Sequence, residues 1–330
     1  MPQTMKLALL DDYQKVALRS ADWDRLRKRG IEITVFNEPF ASVDDAAQKL
    51  APFDILGLLR ERTAFPRALI EKLPNLKFMV LTGARAASLD DKAATERGIP
   101  ISTTPGGGSN APTAELGWAL LMSCARDLAK AERLMRSGGW HDGLQQMNVL
   151  EGKRLGILGL GKLGSRVAGY AKVFGMDVVA WSQNLTPEKA GAIGVKYVGK
   201  DELLSTSDFI SIHLALSDRT RGLIGAAELA KMKKTAILVN TSRGLIVDEA
   251  ALIAALKNGT IAHAGLDVYD KEPLPAGHPL TKLENVTLVP HLGYVVEESY
   301  RYFYKGTIED IEAWLDGKPI NVLNPDALKK

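Results

Sequence analysis

Arg243, Glu272 and His291 each follow a short apolar run, in the segments Asn240-Thr241-Ser242-Arg243-Gly244, Leu266-Asp267-Val268-Tyr269-Asp270-Lys271-Glu272-Pro273 and Pro290-His291-Leu292-Gly293. A guanidinium can hold a carboxylate and polarise the carbonyl beside it, and an imidazole can give or take a proton at the carbonyl oxygen. A carboxylate next to that imidazole favours its charged form and fixes its orientation. These are the needs of hydride transfer to a 2-oxo acid, or from a 2-hydroxy acid. Taken singly, each residue has an ordinary alternative: a surface arginine, a solvated turn glutamate, a capping histidine. Three such residues at successive strand ends are harder to dismiss, because ligands of open α/β sheets bind beyond the carboxyl ends of the strands. Asp267, at its own strand end, could accept from a nicotinamide carboxamide.

Upstream stands Gly159-Leu160-Gly161-Lys162-Leu163-Gly164. A GxGxxG pattern alone is a weak signal and gains its meaning from a strand before and a helix after. Both are expected here, with Leu155 to Leu158 as the strand. Gly159 then permits the tight turn, Gly161 lets backbone amides approach a pyrophosphate, and Gly164 allows close packing at the positive end of the helix. About twenty residues on, after Val178-Val179-Ala180-Trp181, the acid that would hold an NAD ribose is replaced by Ser182, followed by Gln183 and Asn184. No carboxylate there repels a 2′-phosphate, and Lys162, Arg166 and Lys189 are the nearest bases. NADP is permitted and mildly favoured, with NAD left open.

His213 closes a predicted strand near the expected pyrophosphate, whereas His141, His263 and His278 have no evident partner and read as structural. No two histidines are spaced for a metal, no Cys-x-x-Cys exists, and Asp11-Asp12 and Asp90-Asp91 read as loop or cap residues, so no metal is expected. The single cysteine, Cys124, follows the apolar Ala119 to Met122 and reads as a packed thiol.

The elements that must place these residues are legible as alternating apolar runs and helical stretches. Lys6 to Leu10, Ile31 to Phe36, Ile55 to Leu59, Leu76 to Thr82 and Ile99 to Thr103 are five buried strands of a first parallel sheet. Thr104-Pro105-Gly106-Gly107-Gly108-Ser109-Asn110 allows no regular element and reads as an interdomain hinge. Thr113 to Ser137 reads as one extended helix, bridging or dimerising. A second series follows at Leu155 to Leu158, Asp177 to Trp181, Phe209 to His213, Ala236 to Asn240, Ala262 to Leu266 and Val286 to Leu288, six strands suited to a doubly wound sheet. After a helix over Glu297 to Asp316, the tail Pro319 to Leu323 has no sheet of its own and is expected to return to the first domain. The fold class is α/β: a flavodoxin-like substrate domain, residues 1–105 with 296–330, and a Rossmann-like dinucleotide domain, residues 106–295.

The 330 residues, 46% of them apolar, suffice for two cores, and 42 basic against 39 acidic residues give only +3 with no Lys/Arg block. Nucleic acid is therefore not an expected partner, while a small anion is compatible. The first residues lack an apolar segment behind a basic head, and no stretch approaches a membrane span, so a cytoplasmic protein with no membrane partner is expected.

With Asp248-Glu249 and Gly265 to Pro273, these segments together resemble the four successive signatures of the D-isomer-specific 2-hydroxyacid dehydrogenases, over nearly the whole chain. The resemblance implies Arg243, Glu272 and His291 as the catalytic trio and Asp267 as holder of the nicotinamide. It also implies cofactor contacts at Gly159, Gly161, Lys162, Leu163, Gly164, Ser182, His213, Leu214, Ala215, Thr220, Thr241, Ser242 and Gly293, and a homodimer. The stretch Thr82 to Asp90 is similar to the family's loop whose amides bind the substrate carboxylate, placing Gly83 and Ala84 there. It departs from the pattern with Arg85 and Ala87, and His213-Leu214-Ala215-Leu216 has alanine where the family has proline. Arg85, with Arg60 or Arg62, could recognise a second anionic group. The expected reaction has the 2-oxo acid held by Gly83, Ala84 and Arg243, its carbonyl between Arg243 and His291. Two rivals stand beside it: a cofactor-sensing protein like the C-terminal binding protein corepressors, and a formate or phosphite dehydrogenase.

Overall fold

The computed structural model describes residues 4–104, 109–144 and 146–329. The chain divides into two units, Met1–Ser109 with Val295–Lys330, and Asn110–Tyr294. Residues 105–108 of the expected hinge lie outside the described residues.

The first unit holds β1 (Met5–Leu9), β2 (Ile31–Val35), β3 (Ile55–Leu58), β4 (Phe78–Thr82) and β5 (Ile101–Thr104), in the spatial order β2-β1-β3-β4-β5. All four neighbouring pairs are parallel. β3, β4 and β5 are buried along their whole length, and β3 and β4 read accordingly as nearly unbroken apolar runs, whereas β5 buries Ser102, Thr103 and Thr104 and the edge strand β2 alternates apolar and polar residues in sequence. Of the acids expected as loop or cap residues, Asp12 accepts from the Val16 and Ala17 amides, each at 2.9 Å, and Asp90 caps its helix by accepting from Ala93 at 2.9 Å. Helix Glu297–Leu315 packs on this sheet, with Trp314 stacked 4.8 Å from Phe78. The tail beyond it, expected to return to the first domain, bridges β5 in antiparallel fashion at Ser102 and Val322. Asn324 fastens it, accepting from the Ile101 amide at 2.7 Å and donating to the Ile99 carbonyl at 3.0 Å.

The second unit carries β6 (Arg154–Leu158), β7 (Asp177–Trp181), β8 (Lys196–Tyr197), β9 (Phe209–Ile212), β10 (Ile237–Asn240), β11 (His263–Leu266) and β12 (Val286–Leu288). Their order is β12-β11-β10-β9-β6-β7-β8, all parallel, so the sheet has seven strands where six were expected. The addition, β8, is a two-residue edge too short for any apolar pattern. Strand order reverses between β6 and β9, and their carboxyl ends lead into Gly159 and His213.

The single helix expected over 113–137 is two helices, Ala111–Ala125 and Leu128–Arg136. Asp127 adopts a left-handed backbone, φ 46°, and turns the chain, although the apolar spacing continues past it. The first helix buries Leu120, Leu121 and Cys124 on the sheet, where a side chain on Gly265 would press on the Cys124 sulfur at 2.9 Å. The second buries nothing and exposes Leu128 and Met135. No helix among the described residues is long and apolar enough to cross a membrane.

Candidate active site

The glycine turn after β6 passes a stereochemical test for a dinucleotide cradle. Gly159 has φ 102°, and a side chain there would strike the His213 carbonyl at 2.7 Å. A methyl on Gly164 would overlap the Gly159 carbonyl, whereas Gly161 opens onto free space with nothing within 4 Å. Helix Lys162–Val173 starts there without a side-chain cap, and its first internal bond is from Ser165 to Gly161 at 2.9 Å. The amides of Lys162, Leu163 and Gly164 therefore have no partner within the helix and suit a bound diphosphate. Ser182 is half-buried just past β7 with Gln183 exposed beside it, and no carboxylate follows for a ribose diol.

On the β9 side, His213 reaches the turn through its backbone and not its ring. The imidazole bonds Ser211 Oγ at 2.9 Å and lies beside Gly117 of the first long helix; burial drives it down to about 4, so it is neutral. Leu214 packs over Gly159. Thr220 donates to the Ala215 carbonyl at 2.7 Å and accepts from Ser217 at 2.8 Å, so its hydroxyl closes the 215–220 loop.

The turn carrying Arg243 is clamped by Asn240, whose side chain donates to the Arg243 carbonyl at 2.9 Å and accepts from the Ser242 amide at 3.0 Å. Ser242 Oγ donates to the Ile212 carbonyl at 2.8 Å, while the buried Thr241 hydroxyl has no partner among the described residues. Arg243 itself is half-buried, with Nη1 donating to the Ser242 carbonyl at 2.7 Å. Gly244 is required because a side chain would overlap the Tyr269–Asp270 peptide.

His291 Nδ1 lies 2.6 Å from Glu272 Oε2, and Glu272 Oε1 accepts from the Tyr269 amide at 3.0 Å. The carboxylate is thus held by its own loop and orients the imidazole, leaving Nε2 as the nitrogen that can exchange a proton with a ligand. Tyr294 stands edge-on to the imidazole at 6.1 Å, and Tyr269 offers its hydroxyl to the Val289 carbonyl at 2.9 Å. Asp267 accepts from the Leu292 amide at 2.5 Å and the Gly293 amide at 3.1 Å. Burial raises its carboxyl to about 6. Its first duty is therefore to fix the backbone around His291, and only its remaining lone pairs are available to a carboxamide. Thr113 completes this corner by donating to the Gly293 carbonyl at 2.7 Å.

In the first unit, the expected substrate loop is altered in one respect. The Gly83 amide already donates to Thr104, to its carbonyl and its Oγ1 at 3.1 Å each, so it cannot also serve a carboxylate. Gly83 instead clears room, φ 102°, for the Arg60 guanidinium, which a side chain there would strike. Arg60 has φ 58° and its amide donates to Thr82 Oγ1 at 2.9 Å. Ala84 and Arg85 are exposed beyond it.

Two histidines read as partnerless have partners: His278 faces Glu249 at 3.1 Å and His263 faces Thr287 at 3.2 Å. His141 stacks on Trp140 at 5.5 Å. Asn240, Tyr269, Tyr294 and Thr113 escaped notice as site-builders because their work is done toward backbone groups that no local pattern reveals. Cys124 is a packed thiol, pushed up to about 12 by burial. No group of acids, histidines or cysteines among the described residues could hold a metal ion.

A doubly wound sheet, a glycine cradle at its switch point and a carboxylate-oriented histidine define a dinucleotide-dependent oxidoreductase. Residues 118–293 match the D-isomer specific 2-hydroxyacid dehydrogenase, NAD binding domain. A glyoxylate reductase of Aeropyrum pernix is 42% identical over 269 residues, covering 79% of this chain and 80% of that protein. A hydroxypyruvate reductase of Blautia hydrogenotrophica is 30% identical over 97% of this chain and all of its own length (100%). The crystal structure of a phosphoglycerate oxidoreductase from Vibrio cholerae o395 superposes with a TM-score of 0.90 at 35% identity, covering 95% of this chain and 99% of that one. The chain belongs to the D-isomer specific 2-hydroxyacid dehydrogenase family, whose NAD-binding domain it contains.

Proposed function

We propose that this protein reduces a small 2-oxo acid to its D-2-hydroxy acid, with glyoxylate and hydroxypyruvate as the substrate class to test first. The observation that carries the reading is the 2.6 Å contact between Glu272 and His291 Nδ1. It fixes which imidazole nitrogen meets the substrate. A reduced nicotinamide dinucleotide, held by the amides after Gly161, supplies the hydride to the carbonyl carbon. Arg243 binds the substrate carboxylate and polarises the carbonyl; His291 delivers the proton from Nε2 to the oxygen as it gains charge; Glu272 stabilises the imidazolium from which that proton comes. In the reverse direction His291 takes the alcohol proton. Ala84 supplies an amide to the carboxylate, and Arg60 and Arg85 receive any second anionic group.

NADPH serves alongside NADH in this reading, because Ser182 stands where an acid would repel the 2′-phosphate and Lys162, Arg166 and Lys189 are exposed. A homodimer built on residues 111–136 accords with the exposed Leu128 and Met135, and light scattering tests it.

The deciding experiment is steady-state oxidation of NADH and NADPH across glyoxylate, hydroxypyruvate and phenylpyruvate, with formate and phosphite oxidation as further arms. Turnover of 2-oxo acids is expected. Activity only with formate or phosphite, or none with any substrate despite NADH binding, overturns the reading.

A further inference from the structure

Glu249 opens helix Glu249–Lys257, and its two carboxylate oxygens reach opposite ends of the loop that carries Glu272. Oε1 lies 3.1 Å from His278 Nε2, and Oε2 accepts from the Asp270 amide at 3.4 Å. On its other side the His278 ring accepts from the Leu280 amide at Nδ1, 3.4 Å, and its carbonyl accepts from Thr281 Oγ1 at 2.7 Å. An imidazole that accepts at Nδ1 carries its proton on Nε2, where it donates to Glu249.

The segment from Asp270 to Pro279 is exposed over much of its length, with Leu274 packed against the core. One carboxylate of a neighbouring helix fastens it before and after Glu272. The first fastening is on the Tyr269–Asp270 peptide, the one Gly244 abuts beside Arg243. Side-chain exposures of only 17% for His278 and 19% for Glu249 shield this hydrogen bond from competing water. Around the neighbouring Asp270 carboxyl lie Glu249 and Asp248, together with Arg221 and His278. Asp270 is raised by burial and by Glu249 and Asp248, against Arg221 and His278. Arg221 is thus the cation among these acids, and His278 meets Glu249 as a hydrogen-bond donor.

We propose that Glu249 and His278 are positioning residues of the reaction, holding the 270–279 loop so that Glu272 meets His291. This inference rests on the reading of Glu272 and His291 as the proton-transfer pair. A misplacement of well under an ångström at such a pair is enough to lower the rate of the chemical step.

The test is a double-mutant cycle, with Glu249→Ala and Glu249→Gln made in the parent and in a Glu272→Gln background. NADH affinity is followed by fluorescence titration and folding by thermal melting. In the parent, Glu249→Ala is expected to lower kcat roughly tenfold, with KM for the 2-oxo acid and NADH affinity within about twofold. Glu249→Gln, which keeps an oxygen for the Asp270 amide, gives a smaller loss. In the Glu272→Gln background the same Glu249→Ala change is expected to cost less than about twofold, since its route to the chemistry is gone. Equal losses in both backgrounds, or no loss in a folded Glu249→Ala protein, overturn the proposal while leaving the catalytic pair standing. Full turnover by Glu272→Gln alone overturns the catalytic pair, and this inference falls with it.

Discussion

Glu272 Oε2 and His291 Nδ1, nineteen residues apart in sequence, meet at 2.6 Å. The two come from consecutive strand ends, β11 and β12, and each is secured by a further bond to backbone: Glu272 by the Tyr269 amide, the His291 turn by Asp267. Replacing His291 with Ala is expected to lower kcat by about 10²–10⁴ while NADH affinity holds, and Glu272→Gln by a smaller factor, because the proton donor remains but is less well oriented. Single-turnover kinetics with glyoxylate, beside a fluorescence titration with NADH, check both.

The glycines of the cradle separate on steric grounds. Gly164→Ala puts a methyl into the Gly159 carbonyl and is expected to weaken NADH binding at least tenfold or so. Gly169→Ala, in the same helix and with nothing within 4 Å of its new methyl, is expected to bind NADH normally and to gain about 0.5–1 kcal/mol of stability. The same titration and a thermal melt distinguish the two.

Asp310, fully buried in the final helix, donates nothing and accepts from Asn321 at 2.9 Å, with Oδ2 unpartnered among the described residues. Burial raises its carboxyl to about 7. An unfolded chain releases this proton near pH 4, the folded one only near 7. Between these values the native state holds the extra proton, so the free energy of unfolding falls as pH rises and the whole cost is carried above 7. Asp310→Asn should therefore raise stability at pH 8.5 by on the order of 2 kcal/mol, the gap closing toward pH 4. Urea midpoints at the two pH values measure it, and a gap that widens at low pH would contradict the assignment.

Arg60 lies over Gly83 in a backbone conformation that few arginines adopt. If it receives a second anionic group, Arg60→Ala should raise KM about tenfold for a phosphorylated 2-oxo acid and leave glyoxylate nearly unchanged. Parallel kinetics with the two substrates decide it.

The strands were legible because parallel strands covered on both faces, such as Phe78–Thr82 and Phe209–Ile212, are predominantly apolar. The residues at their ends were legible as well, since Arg243, Glu272 and His291 stand just beyond those runs. What sequence hid was of another kind. The break at Asp127 is one backbone dihedral, invisible to a spacing pattern that Leu128, Leu134 and Met135 carry on. The engagement of the Gly83 amide by Thr104, and of Glu249 by His278, joins residues 21 and 29 positions apart, and only the folded chain brings such pairs together.

His291 has φ 53°, a left-handed conformation that costs a residue with a β-carbon roughly 1–2 kcal/mol and glycine almost nothing. The grip of Asp267 on the next two amides keeps the turn in that shape whatever side chain occupies it. Folding alone would accept glycine or asparagine here more readily than histidine. An inert form of this protein carrying glycine or asparagine at that one position should thus outlast the active one under heat, so drift at residue 291 toward either gains durability while it loses chemistry.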